Sequence, residues 1–368
     1  MRVTRKLAAG ALVVAAATVM TAGPALADPP PGTQPKASDI VGLADASMQT
    51  VENGLAADYD ATHKKGPRLY IWNPAAAGAS PQITVKKGCK PMPRPASPSP
   101  SLLTQSPPDG SHFCIDFVSS ETGPRSTDPP GITFAPLALD NVTYASVAKH
   151  TNAPGNLTVK QLRAIYTCSA TKWTQVGGKS SATIHPLLAQ PGSAAGADFL
   201  RAIGVTTPGP CVDQPSTLAE DEGINPIFKG ASAPNEIIPF SSALWVAQAF
   251  HSPACKTAGC VNSKTGAVDC RPPTKAQNKF GCDVNGPLKL NSVNGTPPTT
   301  GSGTKTVLNP KFAPVLIRTV FDVVRTARTK DGIPAYLDPI LGPTGYFCSK
   351  AARPSLTDYG FEPTASCG

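Results

Sequence analysis

An α/β fold is the architecture this sequence predicts, and three observations point to it. Short apolar runs bounded by turn residues alternate with segments of helical periodicity along most of the 368 residues. One helix start is unusually explicit. Thr158 and Gln161 have capping-box spacing, and Leu157 and Leu162 stand where a hydrophobic staple closes. Finally, 40% apolar and 15% charged residues describe a globular chain rather than a disordered one. That length can bury one large or two medium cores. The 41 prolines and 32 glycines imply long irregular connections between elements.

The elements follow in order. Arg2, Arg5 and Lys6, the apolar run Leu7–Ala22 and the small-residue site Ala25-Leu26-Ala27 mark 1–27 as a secretory leader. The run is short and Gly23-Pro24 ends it, which argues against a membrane anchor. No cysteine follows the cleavage site, so a lipid anchor is not expected and the mature chain reads as secreted, extracellular. Residues 28–37 form a flexible lead-in. A strand begins near Ser38, an amphipathic helix covers Ser47–Tyr59, and Leu69–Trp72 is a second strand. A Pro/Ser-rich loop, 90–110, precedes a strand at Phe113–Val118. From Ile132 the chain reads as a strand, a polar turn containing Asp140, and a second strand. Val159, Leu162, Ile165 and Tyr166 then share one helix face, followed by a cysteine-flanked loop to Trp173. Thr183–Leu187 leads to a glycine turn at Gly192. Ala194–Ile203 is helical, Glu236–Phe240 a strand, and Ser242–Phe250 a helix. Residues 252–306 are polar and read as a surface excursion, because Ala313–Arg328 resumes as a helix alternating buried and basic positions.

Charge and cysteines narrow the class. Cleavage after Ala27 removes three cations and no acids, taking the formal charge from +9 to +6. No dense Lys/Arg run accompanies it, so no nucleic-acid partner is expected. Ten cysteines in an exported chain imply disulfides. Cys89 and Cys114 flank the Pro/Ser loop, Cys168 and Cys211 bracket the middle segment, and Cys348 and Cys367 lie near the C-terminus. Cys255, Cys260, Cys270 and Cys282 cluster in the excursion without a C-x-x-C or an intervening histidine, so no zinc or other metal site is expected. The pairing stays open at this level, and nothing calls for a cofactor.

The words ITFAPLALDNVTYA, NLTVKQLRAIYTC and TKWTQVGG, in this order, resemble the middle of phosphate-binding (PstS-type) solute-binding proteins, in particular their secreted actinobacterial branch. The resemblance covers most of 38–250 and again about 310–368. It implies a two-lobed periplasmic-binding-protein-like fold with hinge strands and an interlobe cleft. Lobe 1 would comprise 38–136 and 240–368, including the excursion 252–306, and lobe 2 would comprise 137–239. The implied role is a monomeric receptor that binds a small oxyanion, phosphate foremost, without chemistry and delivers it to an ABC-transporter permease.

An anion cleft of that kind uses helix N-termini, hydroxyl donors and a guanidinium. Against the family pattern, Gly42 to Ser47 offers Asp45 and Ser47, either as ligand contacts or as an ordinary cap pair. Arg94 to Leu103 has Pro95, Pro98 and Pro100 where the family places a glycine-serine turn, which removes N–H donors. Val118 to Thr122 keeps Ser119 and Ser120 but has Glu121 and no arginine, and reads as a surface loop. Gln190, Gly192 and Ser193 match the best-kept loop, whose threonine and arginine are replaced by Ala195 and Gly196. Asp140 matches an acidic position of the family. The scaffold words are kept, while the site words have lost their cations. A non-transport secreted protein reusing the scaffold for partner binding is the alternative. A secreted hydrolase is a further one, although the five histidines fall in no catalytic motif and Ser193 lacks the spacing of a nucleophile elbow.

Overall fold

All four residues of Ile40–Leu43 are buried, the pattern of a strand covered on both faces. The computed structural model describes residues 29, 33–45, 47–74, 81–95, 97–105, 113–191, 193–218, 220–223, 225–251 and 285–368. The leader 1–27, Gly192 and the cysteines Cys255, Cys260, Cys270 and Cys282 lie outside them.

The first part of the chain runs β1 (Ile40–Leu43), α1 (Gln49–Thr62), β2 (Leu69–Trp72), β3 (Gln82–Ile83), β4 (Met92–Pro93), α2 (Ser101–Gln105) and β5 (Phe117–Ser120). The middle runs β6 (Ile132–Val147), β7 (Asn156–Leu157), α3 (Val159–Tyr166), β8 (His185–Pro186), α4 (Ala194–Ala202), β9 (Glu236–Ser241) and α5 (Ser242–Val246). The rest runs β10 (Leu288–Leu290), β11 (Ser292–Val293), β12 (Thr299–Thr300), β13 (Val307–Leu308), β14 (Ile317–Arg325), α6 (Asp338–Leu341), α7 (Arg353–Asp358) and β15 (Glu362–Pro363).

The main sheet has the order β2-β1-β5-β14-β6-β9-β8. β1 is parallel to β2 and β5, while β14 lies antiparallel between β5 and β6. The sheet is therefore mixed. Its two halves serve different cores. Leu137 and Ala138 of β6 pack with α1, β2 and the C-terminal segment, whereas Val142 and Tyr144 pack with α3, α4 and Trp173. The changeover falls at Asp140 and Asn141. β14 changes over in the same way, with Leu316 just before it in the second core and Val320 in the first.

The capping box forms as expected: Gln161 N–H donates to Thr158 Oγ1 at 3.2 Å and Thr158 N–H to Gln161 Oε1 at 2.7 Å. Leu162, Ile165 and Tyr166 are fully buried beneath it. Disulfides join Cys89 to Cys114, Cys168 to Cys211, and Cys348 to Cys367.

Several expectations need correction. Ile132–Val147 is one continuous strand of 16 residues, not two strands around a turn. Its polar pair does not reverse the chain: Asp140 pairs with Arg318 and Ser241, and Asn141 Nδ2 donates to the Pro298 carbonyl, while the backbone ladder continues. Ala313–Arg328 is not a helix. A 3₁₀ turn at Pro314–Leu316 leads into the strand Ile317–Arg325, which is rich in β-branched residues and paired on both sides. The first helix starts at Gln49, and no side chain caps it. The helix expected over Ser242–Phe250 is α-helical to Val246 and continues as a π turn over Ala247–His251. The described part of the excursion is integrated structure: β10 pairs with β6 and β11 with β7, and Leu288 and Val293 are buried among residues of the middle segment.

Candidate functional site

The loops that leave β1, β5 and β9 and the loop that enters α4 converge on one cavity of about 1140 Å³. Asp45, Ser97 and Ser120 line it from the first core, and Gln190, Ser193 and Glu220 from the second. Asp45 is 4% exposed and accepts a hydrogen bond from Ser97 Oγ at 3.1 Å. Its own N–H donates to Ser119 Oγ at 2.5 Å. Ser120 turns its hydroxyl to the carbonyl of Thr122 at 2.8 Å. Ser193 caps α4 by accepting from Gly196 N–H at 3.2 Å.

The expected site residues therefore divide. Asp45, Ser120, Gln190 and Ser193 line the cavity. Ser119, Ser47 and Asp140 are fully buried among the cavity's supports, and Gly192 is outside the described residues. Ser47 does not act as a cap: its hydroxyl is buried without a partner. Ser97 comes from the proline-bearing loop, so that loop keeps a hydroxyl at the cavity despite its missing N–H donors.

The segment Val118–Thr122 is buried rather than a surface loop, with Glu121 wholly buried. A cation makes that burial tolerable. Arg318, on β14, reaches Glu121 Oε2 through Nη1 at 2.7 Å. Its Nε and Nη2 both donate to Asp140 Oδ2, at 3.1 and 2.8 Å. Asp198 of α4 stands 3.7 Å from Nη1. Burial disfavours the guanidinium charge, but Glu121, Asp140, Asp198 and Glu220 together hold Arg318 well above its ordinary range. This arginine is a buried cation held wholly by the protein's own carboxylates. Reading 313–328 as a helix hides it, because a basic residue on such a helix faces solvent.

Carboxylates of the protein itself occupy the positions an anion would take. Glu220 Oε1 accepts from Ala195 N–H at 2.7 Å, inside the first turn of α4. Asp140 Oδ1 accepts from Ala243 N–H at 3.0 Å at the start of α5. Glu121 Oε1 accepts from Ser47 N–H at 3.1 Å, ahead of α1. The N-terminal ends of these helices, each a ready anion site, are neutralised from within.

The acids pay for this crowding with displaced titration. Burial, then Glu121 and Asp221, pushes Glu220 well above the usual carboxylate range. Burial, followed by Glu121, pushes Asp221 up to about 8, against the pull of the Ser241 N–H and Arg318. Asp198 is also raised, chiefly by burial. Such a site can hold protons and accept hydrogen bonds, and it offers little free positive charge. Among the described residues, no group of three or more His, Cys, Asp or Glu is arranged to hold a metal ion.

No family model matches the chain. No curated protein matches it either. Solved structures do. An ABC-type phosphate transport receptor from Vibrio cholerae superposes with a TM-score of 0.50 at 14% identity, covering 88% of this chain and 99% of its own. A putative phosphate ABC transporter substrate-binding protein with bound phosphate, from Clostridium perfringens, gives 0.49 at 12% identity, covering 89% and 100%. PstS from Borrelia burgdorferi gives 0.42 at 13%, covering 88% and 98%. At these identities the likeness is one of fold: the chain has the mixed α/β, two-lobed binding-protein architecture of the Vibrio cholerae receptor.

Proposed function

We propose that the chain is an exported solute-binding protein that holds a small molecule in this cleft without transforming it. One observation supports the reading most: a cavity of about 1140 Å³ walled by loops of two separate cores, with β6 and β14 passing from one core to the other. A volume of that order accommodates a small polar solute with its water. The lobe limits that go with this reading change over where the cores do, at Asp140 and Asn141 on β6 and between Leu316 and Val320 at β14. An extracellular location, delivery to an ABC permease and action as a single copy belong to the same proposal.

Phosphate is the solute implied by the resemblance, and the similarly folded Vibrio cholerae protein is a phosphate transport receptor. The hydroxyl of Ser193 favours an oxyanion, while Ser97 and Ser120 already donate to Asp45 and the Thr122 carbonyl and Glu121, Asp140 and Glu220 at the helix ends oppose one. A thermal-shift panel of phosphate, other oxyanions, sugars, small acids and amines tests the proposal. Ligand at a hundredfold excess over its Kd adds about 2.7 kcal/mol, a rise of several degrees in Tm. A flat response to every class would sink the solute reading and leave partner binding by the scaffold in its place.

One observation favours a hydrolytic second reading: Glu220 and Asp221, held protonated by burial, line the same cavity as Asp45. That reading requires turnover of a nitrophenyl glycoside, abolished by Glu220→Gln. Absence of turnover across such substrates would end it.

A further inference from the structure

One end of the first core carries a basic face that no run in the sequence announces, because the fold assembles it from separate segments. Lys87 N–H donates to the Pro35 carbonyl at 2.7 Å, beside Lys36. The Asp39 carboxylate accepts from Lys36 N–H at 2.7 Å and from Arg68 N–H at 3.0 Å. The Arg68 guanidinium donates to the Asp60 carbonyl at 2.7 Å, in the last turn of α1, which the chain leaves through Lys64 and Lys65. Lys90 follows Lys87 in the same turn. Lys36, Lys64, Lys65, Lys87 and Lys90 are exposed and make no ion pair with a described residue. The acids at this face, Asp39 and Asp60, are engaged by the backbone N–H groups of Lys36, Arg68 and Leu69. Its free charge is therefore positive.

Aromatic rings border it. His63 stacks on Tyr59 with ring centroids 4.1 Å apart, and Tyr346 meets both rings edge-on at 5.5 and 5.7 Å. His63 is exposed and Tyr346 half-buried. Amphipathic rings beside lysines suit the headgroup level of a bilayer. Lysines outnumber arginine here, and an ammonium meets the phosphates of a fluid surface as a point charge rather than through a fixed bidentate site. The leader that the sequence marks at 1–27 also joins the chain on this side, just ahead of Lys36. This is the face nearest the bilayer as the exported chain arrives. The cleft lies at the other end of the same strands: Lys36 and Arg68 precede β1 and β2, whereas the cleft loop leaves β1 after Leu43.

We propose that this face holds the exported chain on a bilayer surface rich in anionic lipid. The attachment is peripheral, since among the described residues no helix is long and apolar enough to cross a membrane. It goes beyond the solute-binding reading and shares with it only the export. Each cation near an anionic bilayer adds roughly fivefold in affinity, and salt screens the attraction. Attachment by this face turns the cleft outward, open to solute.

The test is flotation of the full exported chain with vesicles of phosphatidylcholine alone, or with one quarter phosphatidylglycerol, at about 25 and about 300 mM NaCl. The expected result is binding to the anionic vesicles at low salt, a loss of at least tenfold at high salt, and no binding to the neutral vesicles. Lys36→Glu, Lys64→Glu and Lys87→Glu together are expected to weaken binding at least tenfold. Lys160→Glu, Lys179→Glu and Lys229→Glu, exposed positions of the middle segment with the same change in net charge, are expected to weaken it less than threefold. Should the first triple variant fail to fold, Lys64→Gln with Lys65→Gln is expected to lower affinity at least fivefold. Equal losses in the two triple variants overturn the proposal, because binding then follows net charge and not this face. Absence of binding to the anionic vesicles overturns it as well, and binding of soluble polyphosphate in their place assigns the face to a polymer. None of these outcomes bears on the cleft, whose solute is read separately by the thermal-shift panel.

Discussion

Arg318 and Asp140 are register partners on adjacent antiparallel strands, and they meet where both strands leave one core for the other. Two guanidinium nitrogens donate to the same carboxylate oxygen, and the third reaches Glu121. The other oxygen of Asp140 caps α5. One ion pair thus ties together both long strands, the loop after β5 and a helix start.

Replacing Arg318 with Met should leave Glu121 and Asp140 as buried charges without a cation. Removing one partner of a buried pair costs about 3–5 kcal/mol. Chemical denaturation should show that loss, and Arg318→Lys should recover only part of it, because a lysine cannot span three carboxylates. A loss below about 1 kcal/mol would mean that the network is incidental to the fold.

Glu52 and Asp322 form a second acidic pair, wholly inside the first core. Burial pushes Asp322 from 3.8 up to about 7, and burial with the neighbouring Asp322 raises Glu52. Both folded-state values lie above the unfolded ones. The folded state therefore holds protons that the unfolded chain has released between about pH 4 and 7. Stability should be highest at the acid end of that window and fall as pH rises through it, by about 1.4 kcal/mol for each unit of displacement. Asp322→Asn should flatten the slope and make the protein more stable than wild type at pH 8, read by urea denaturation at pH 5 and 8. An unchanged slope would remove the pair as its source.

Gly42 on β1 lies against the Phe117 ring, and a Cβ added there would come within 2.3 Å of it. Both residues pair across the sheet. Gly42→Ala is expected to cost about 1–3 kcal/mol through overpacking. Phe117→Leu in the same chain should relieve part of that cost, so a double-mutant cycle should show coupling. Strict additivity would place the strain elsewhere.

Glu220 sits where α4 would otherwise receive a ligand anion. Glu220→Ala should expose the Ala195 N–H and remove the carboxyl oxygen that now occupies it. Phosphate affinity is expected to rise at least tenfold over wild type by calorimetry. No gain would show that the remaining acids are sufficient to exclude an anion.

What the sequence made readable was local. The capping box at Thr158 and Gln161 spans four residues and formed as written, since its two bonds depend on nothing distant. The three cysteine pairs each flank a loop visible in the sequence, while the pairing itself stays open until the fold brings the sulfurs together. Asp140 stands out in the sequence as an acid in an apolar run, but neither turn chemistry nor a ligand contact explains it, because its partners Ser241 and Arg318 are 101 and 178 positions away. Arg318 itself carries no local signal. Ile-Arg-Thr-Val-Phe-Asp-Val-Val satisfies helical spacing as well as strand alternation, and only pairing with both β5 and β6 decides between them. The helix-end carboxylates were likewise invisible, since Glu220 and Ala195 are linked by a fold rather than by a motif.

β14 fills the middle of the sheet, yet it is made late: Arg318 and Glu121 are 197 positions apart. Until it arrives, β5 and β6 face each other across an empty slot with open backbone edges. The first core therefore cannot close from its own N-terminal elements, however much of the chain has been synthesised before it. Folding should be slow and nearly all-or-none, gated by delivery of one strand. On the export proposed above, such a delay is protective, since nothing stable assembles ahead of passage; the same open edges make the unfinished chain prone to aggregate wherever delivery stalls.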